Sequence, residues 1–326
     1  MNLTLGLPLR LVAVAASILS FGLASRGAHQ QTQTPAPLAQ QSASRQTVSK
    51  IPFEITDGGH IFLRVRVNGS EPLWFGLDSG AEETMISARQ AQALNLKLQG
   101  ETKAAGGGEE LVDFATAKNV SFDLSGVKFS LREVGVLPLE FPSPVKGETI
   151  GGLLGYDFLK RFVVEIDYTT RTINLYQPRS YRYRGGGEIV PIRMLDNNPH
   201  VFLRVKLPGL APVAGMFLID SGADTDLFFN SPFVKRHKLL NSTQQTTEAS
   251  SLGIGGASKI RIGYATSVEI GRSVIENPVA HFSQAAKGDS ASSVGAGFIG
   301  GKILKRFKIV IFDPTRHRLI LEMGQR

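Results

Sequence analysis

Along most of the chain, apolar and polar residues alternate with a period of two. In "IFLRVRV", Ile61, Leu63 and Val65 point one way while Arg64 and Arg66 point the other, the signature of a half-buried strand. Runs such as "RFVVEIDY" (Arg161–Tyr168) and "RFKIVIFD" (Arg306–Asp313) are apolar and β-branched, and Gly and Asn punctuate them. Helical spacing is confined to Ala88–Leu96, to Ser231–Leu239 and to the segments around Tyr156–Phe162 and Gly301–Phe307. The pattern predicts a mostly β protein with few short helices.

The same elements come twice. "HIFLRVRVNG" (His60–Gly69) returns as "HVFLRVKLPG" (His200–Gly209), and "LDSGA" at Leu77 returns as "IDSGA" at Ile219. "GLLGYDFLKRF" at Gly152 matches "GFIGGKILKRF" at Gly297, and "IDYTTRTINLY" at Ile166 matches "FDPTRHRLILE" at Phe312. Four blocks recur in one order, each about 140 residues on, so the chain reads as two copies of one unit. The expected units are 51–183 and 184–326, joined near Tyr181–Glu188.

The beginning of the chain breaks the strand pattern. Arg10 is the only charge before an apolar run from Leu11 to Leu23, and small residues follow. The run is shorter than the roughly 20 residues a membrane span needs, so 1–28 reads as a secretory signal, with an uncleaved membrane anchor as its rival. Residues 29–50, rich in Gln, Thr, Ser and Ala, read as a disordered linker. Export places the protein in the periplasm or outside the cell. There is no cysteine, so the core must stabilise the fold and thiolate zinc is excluded. An exported, cysteine-free chain points to a bacterial envelope protein.

Formal charge is +8 over 326 residues, but the first 50 contribute Arg10, Arg26, Arg45 and Lys50 and no acid. The milder remainder shows no basic patch with interleaved aromatics, which argues against a nucleic-acid partner.

The candidate chemistry lies in the repeated blocks. An apolar strand enters Asp78-Ser79-Gly80-Ala81 in one copy and Asp220-Ser221-Gly222-Ala223 in the other; "LLG" (Leu153–Gly155) and "FIG" (Phe298–Gly300) follow and open short helices. In this pairing and order each copy resembles a retropepsin-type aspartic peptidase unit, and the two together resemble the two-lobed pepsin-like enzymes. The resemblance covers about residues 51–326. It implies two β-barrel-like lobes with a cleft between them, a monomer, and an endopeptidase needing no metal or other cofactor.

In that family two carboxylates share one proton, because like charges so close cannot both ionise cheaply. The resemblance assigns these roles to Asp78 and Asp220. One activates a water and the other donates to the scissile carbonyl. Ser79 and Ser221 stand where the family usually has Thr, and their hydroxyls would lock the two loops together. Gly80 and Gly222 would turn the backbone and donate to the carboxylates. Glu82 and Asp224 occupy positions that bind substrate backbone in retropepsins. The Arg often found after the apolar-apolar-Gly motif is replaced by Tyr156 and Gly301. Glycine-rich covers are expected at Ala104–Leu111 and Ser251–Ile260, with Gly107 and Gly255 as substrate-binding candidates. The partner implied is a peptide or protein substrate.

Other features read as structural. His60 and His200 sit at equivalent strand starts and are expected to pack, not to bind metal. "GAGFIG" at Gly295 meets G-x-G-x-x-G without a βαβ unit, and "GGK" at Gly300 fails as a phosphate loop. The charges of "LKRF" at Leu159 and Leu304, and Glu109 and Glu110, are expected to be solvated. Three readings stay open: an active peptidase, a catalytically weak peptide-binding envelope protein of the same fold, and a structural envelope protein.

Overall fold

The computed structural model describes residues 47–324 apart from 142, 146 and 241–244. The expected signal segment and the linker before Thr47 lie outside the described residues. The first strand, Thr47–Pro52, begins inside the stretch expected as linker. Only its end alternates, with Ile51 buried between exposed Lys50 and Pro52, and its place comes from backbone pairing with Thr172–Tyr176.

The protein is mostly β, and its described strands form two sheets, of eight and fifteen strands. The eight-stranded sheet runs Glu54–Ile55, Ile61–Val67, Leu73–Leu77, Gly152–Leu154, Met85–Ser87, Val127–Leu137, Val112–Leu124, Leu98–Ala104. Pairing of Ile61–Val67 with Val112–Leu124 curls it toward closure. The larger sheet contains the same order again: Glu188–Leu195, Asn198–Lys206, Val213–Ile219, Gly297–Ile299, Leu227–Phe229, Val279–Ser283, Gly256–Tyr264, Thr247–Gly253. In both, a parallel strand is inserted between neighbours, so the apolar-apolar-Gly motif lies beside the strand that carries the Asp.

Six strands of the larger sheet run across the junction of the two halves. Thr47–Pro52, Thr172–Tyr176 and Val163–Asp167 come from the first half, and Phe307–Asp313, Arg318–Met323 and Glu188–Leu195 from the second. Val164 faces Phe312 and Ile166 faces Val310 at the junction.

Alternation explains most burial. Ile61, Leu63, Val65 and Val67 are buried while Arg64 and Arg66 are exposed. Phe62 departs from the pattern and is buried too, because a second apolar cluster covers that face. The helices are shorter than the spacing predicts. Ala88–Ala93 starts where Ser87 Oγ accepts from Gln90 N at 3.2 Å, and Ser231–Arg236 starts at Asn230. Each stops early because Asn95 and Lys238 adopt left-handed backbone just beyond it. No described helix is long and apolar enough to cross a membrane.

Candidate active site

Strand Leu73–Leu77 buries Phe75 and Leu77 in the main core, about 1.5–3 kcal/mol for each side chain. It delivers Asp78 at its end, where Asp78 N donates to Leu154 O at 2.9 Å. Val213–Ile219 buries Phe217 and Ile219 and delivers Asp220, whose N donates to Ile299 O at 3.0 Å. Parallel pairing with the apolar-apolar-Gly strands therefore fixes the height of both carboxylates.

The two Asp-Ser-Gly loops cross each other. Ser79 N donates to Ser221 Oγ and Ser221 N to Ser79 Oγ, both at 3.0 Å. Each hydroxyl then donates to the strand of the opposite half: Ser79 Oγ to Ile219 O at 2.6 Å and Ser221 Oγ to Leu77 O at 2.8 Å. Both serines are buried and fully paired. The approach is so close that only glycine fits. A Cβ on Gly80 would lie 2.7 Å from Asp220 Cγ, and one on Gly222 would lie 2.4 Å from Asp78 Cγ.

Each carboxyl group lies against the glycine of the opposite loop, Asp220 beside Gly80 and Asp78 beside Gly222. Asp78 Oδ1 accepts from Gly80 N at 2.9 Å and Ala81 N at 3.0 Å, and Asp220 Oδ1 accepts from Gly222 N at 2.9 Å. Burial raises the pKa of Asp78, against the pull of its loop amides, the bond to Asp220 and the charge of His60. Burial raises Asp220 well above the usual carboxylate range, and the negative charge of Asp78 pushes it further. Asp220 is thus the more strongly raised of the two, which favours it as the holder of a shared proton.

Glu82 and Asp224 are exposed at the outer ends of these loops. In place of the absent Arg, each meets a hairpin tip from the other half. Asn197 Nδ2 donates to Glu82 Oε1 at 2.7 Å. Gly58 packs so tightly on Asp224 that an added Cβ would lie 2.7 Å from Asp224 Cβ. His200 is buried, its Nδ1 2.9 Å from Asn198 O, and burial lowers its pKa. His60 sets its ring edge-on to Phe62. Among the described residues no cluster of His, Cys, Asp or Glu could hold a metal ion.

Two supports of the site were not anticipated. Thr84 donates through N and Oγ1 to Asp157 Oδ1, at 2.9 and 2.6 Å, tying the first loop to the helix Tyr156–Leu159. In the second half Asp226, two residues beyond Asp224, instead accepts from Arg306 Nη2 and Val279 N, both at 2.9 Å. Of the "LKRF" charges, Lys160, Arg161 and Arg306 are exposed as expected, and three of the four also hold a partner. Arg306 is in an ion pair, Lys305 Nζ donates to Asp57 O, and Arg161 lies over the Phe129 ring. Glu109 is likewise not merely solvated: its Oε1 accepts from Ala286 N. The signal available was the repetition of Lys-Arg after each short helix, which pattern alone cannot tell from helix surface.

Residues 63–158 match the family model described as aspartyl protease. The match spans the Asp78 loop and the Leu153–Gly155 motif, so this part of the chain is aspartyl protease-like. No curated protein matches the chain.

Proposed function

We propose that the chain is an exported aspartic endopeptidase whose single active site is formed by Asp78 and Asp220, contributed by two diverged copies of one unit. The observation that carries this reading is the mutual locking of two Asp-Ser-Gly loops, each carboxyl group lying against the glycine of the opposite loop. The repeated strand order supports duplication, with lobes over 51–183 and 184–326. Export rests on Arg10 and the apolar run Leu11–Leu23; N-terminal sequencing of the protein from its producing cell tests it. Because the copies are joined, their meeting is intramolecular and a monomer suffices; sedimentation and activity on dilution test that.

Ionised Asp78 takes a proton from a water held between the carboxyl groups, and the oxygen attacks the scissile carbonyl carbon. Asp220 gives its proton to the carbonyl oxygen. When the tetrahedral species collapses, the proton on Asp78 passes to the leaving amine, the C–N bond breaks, and Asp220 recovers a proton from the gem-diol. The exposed Glu82 and Asp224 lie where an extended peptide could donate its backbone N–H groups.

Cleavage of a peptide library by the full chain, Asp78→Asn and Asp220→Asn, with circular dichroism on all three, tests the assignment. Each substitution should reduce hydrolysis about a thousandfold or more without unfolding, and the double variant should be little worse. A folded single variant that cleaves like the wild type would overturn it. A chain that binds peptides and cleaves none would be a binding module.

A further inference from the structure

The two halves meet as equals in their serines, and their glycine-rich segments also hold each other. Gly108 N donates to Ile254 O at 2.8 Å, Glu110 N to Gly255 O at 2.9 Å, and Gly107 O accepts from Ser290 Oγ at 3.2 Å. The flanks of the two carboxyl groups are not equal. Leu73–Leu77, which leads to Asp78, has five residues, and Val213–Ile219, which leads to Asp220, has seven. Both pair with the preceding strand from equivalent starting points, Val65 with Leu73 and Val205 with Val213. Asp220 therefore stands two residues further along its ladder than Asp78 does. The matching histidines, His60 and His200, keep their places in the paired strands and end up differently placed toward the carboxyl groups.

In the first half Arg64 pairs with Trp74 and Phe62 with Gly76. Carried two steps further, the same register sets His60 across from Asp78, and alternation keeps both on the face of Phe62 and Trp74. Side-chain contacts agree with that face: the His60 ring stands edge-on to Phe62 at 6.3 Å, and Arg64 lies over Trp74 at 4.7 Å. Directly opposed residues on one face hold their Cβ atoms about 4.5–5.5 Å apart. The backbone of His60 is fixed, because Thr56 N donates to His60 O at 3.1 Å and His60 N to Thr56 Oγ1 at 3.2 Å. Burial raises the pKa of Asp78, and the positive charge of His60 is among the influences that oppose it. In the second half His200 pairs with Leu218, two residues short of Asp220. It is buried, with its Nδ1 2.9 Å from Asn198 O. The residue that the extended register sets across from Asp220 is Asn198, which has no charge. Its Oδ1 is buried without a hydrogen-bond partner among the described residues.

We propose that His60 is a positioning residue for the candidate dyad: across from Asp78, its imidazolium favours the ionised form of that carboxyl group, while the uncharged Asn198 across from Asp220 leaves the proton there. The two extra residues of Val213–Ile219 are what withdraw the second histidine from the pair. Histidine gains its charge as pH falls below neutrality, so the cation is present in the acidic range where two close carboxyl groups share a proton. The other charged groups about the hairpin are Asp57 within it, Glu54 across from Phe62, Asp224 packed against Gly58, and Lys305, whose Nζ donates to Asp57 O. None of them stands across from Asp78 in the ladder. In its catalytic consequence this rests on the peptidase reading; the bias between the two carboxyl groups does not.

The full chain is compared with His60→Phe, which keeps an aromatic ring against Phe62 and removes the charge, with His60→Gln, which serves if the first variant does not fold, and with His60→Lys, which keeps a cation. Two readouts are taken of each: the pH profile of kcat/KM on a peptide, and a carbon-13 NMR titration of the aspartate carboxyl groups, with Asp78→Asn to assign Asp78. The acid limb of the profile marks protonation of the ionised carboxylate. In the uncharged variants that limb and the Asp78 titration should both move up by about half a pH unit, which is about threefold in kcat/KM on the acid side of the limb. His60→Lys should keep the wild-type limb and titration. A purely structural role for His60 would lower activity equally at every pH and leave both where they are. An Asp78 titration unmoved in the uncharged variants, or moved as far by Lys as by Phe, would overturn the proposal. The NMR arm also separates the two readings. A shifted Asp78 titration in a chain that never cleaves rejects the peptidase and keeps His60 as the source of the bias. Cleavage with limb and titration indifferent to residue 60 does the reverse.

Discussion

Ser79 Oγ accepts the amide of Ser221 at 3.0 Å while Ser221 Oγ accepts the amide of Ser79 at the same distance. Two residues far apart in sequence thereby satisfy each other's buried N–H. The hydroxyls then reach across to Ile219 O and Leu77 O, so each strand leading to a candidate catalytic carboxylate is anchored by the other half.

Ser79→Ala or Ser221→Ala leaves one buried amide and one buried carbonyl unpaired. Each should destabilise the chain by about 1–3 kcal/mol. The double variant should cost less than the two single losses together, because either one already opens the lock. Urea unfolding of the three variants, with peptide cleavage alongside, checks this; simple additivity would mean that the two bonds are independent.

Asp220→Asn should alter how stability depends on pH. The folded-state pKa of Asp220 lies well above the ordinary 3.8, chiefly through burial and then the charge of Asp78. The native state therefore holds the proton more tightly than the unfolded chain. This contribution is fully present below about pH 3.8 and is lost as pH rises toward the raised value, at roughly 1.4 kcal/mol per pKa unit. Asn has no proton to exchange and contributes nothing of this kind. The variant should match the wild type in acid and be the more stable at neutral pH, a difference that urea midpoints from pH 3.5 to 7.5 would reveal.

Arg306→Ala should unfold the chain more readily than its exposed position suggests. The Asp226 side chain is 4% exposed and that of Arg306 is 35% exposed. Stripping the partner from a buried carboxylate costs about 3–5 kcal/mol, and here the lower end applies because Val279 N still donates to Asp226. Arg306→Lys should recover part of the loss. Thermal and urea unfolding measure both.

Asn197→Ala should act on catalysis and not on stability. The Asn197–Glu82 bond is exposed, so its loss should shift unfolding by less than about 1 kcal/mol. Freed, Glu82 would no longer be held toward a peptide backbone, and KM should rise several-fold with kcat little changed. An unchanged KM would show that Glu82 does not touch substrate.

The strand pattern and the meeting of two Asp-Ser-Gly loops were legible because both depend on short-range order, alternation in "IFLRVRV" and a motif printed twice. The contacts of Asn197 with Glu82, of Arg306 with Asp226 and of Ile254 with the cluster around Phe62 were not. Each joins residues remote in sequence, and an Asn in a turn, an Arg after a helix and an Ile in a glycine-rich hairpin look the same whether they face water or another element. Thr47–Pro52 was not legible for a related reason: it is too short to show a period by itself and is placed by its partner strand.

The sheet that joins the halves has a consequence for how the chain reaches its fold. Val163–Asp167 pairs on one side with Thr172–Tyr176 and on the other with Phe307–Asp313. During synthesis the first half is complete in sequence long before that second neighbour exists. Its apolar edge strand must wait unpaired for almost half the chain, a high-contact-order closure that folds slowly and exposes a template for aggregation. A fragment ending near residue 183 would keep that edge permanently, and the surface most nearly complementary to it is the same edge of a second fragment.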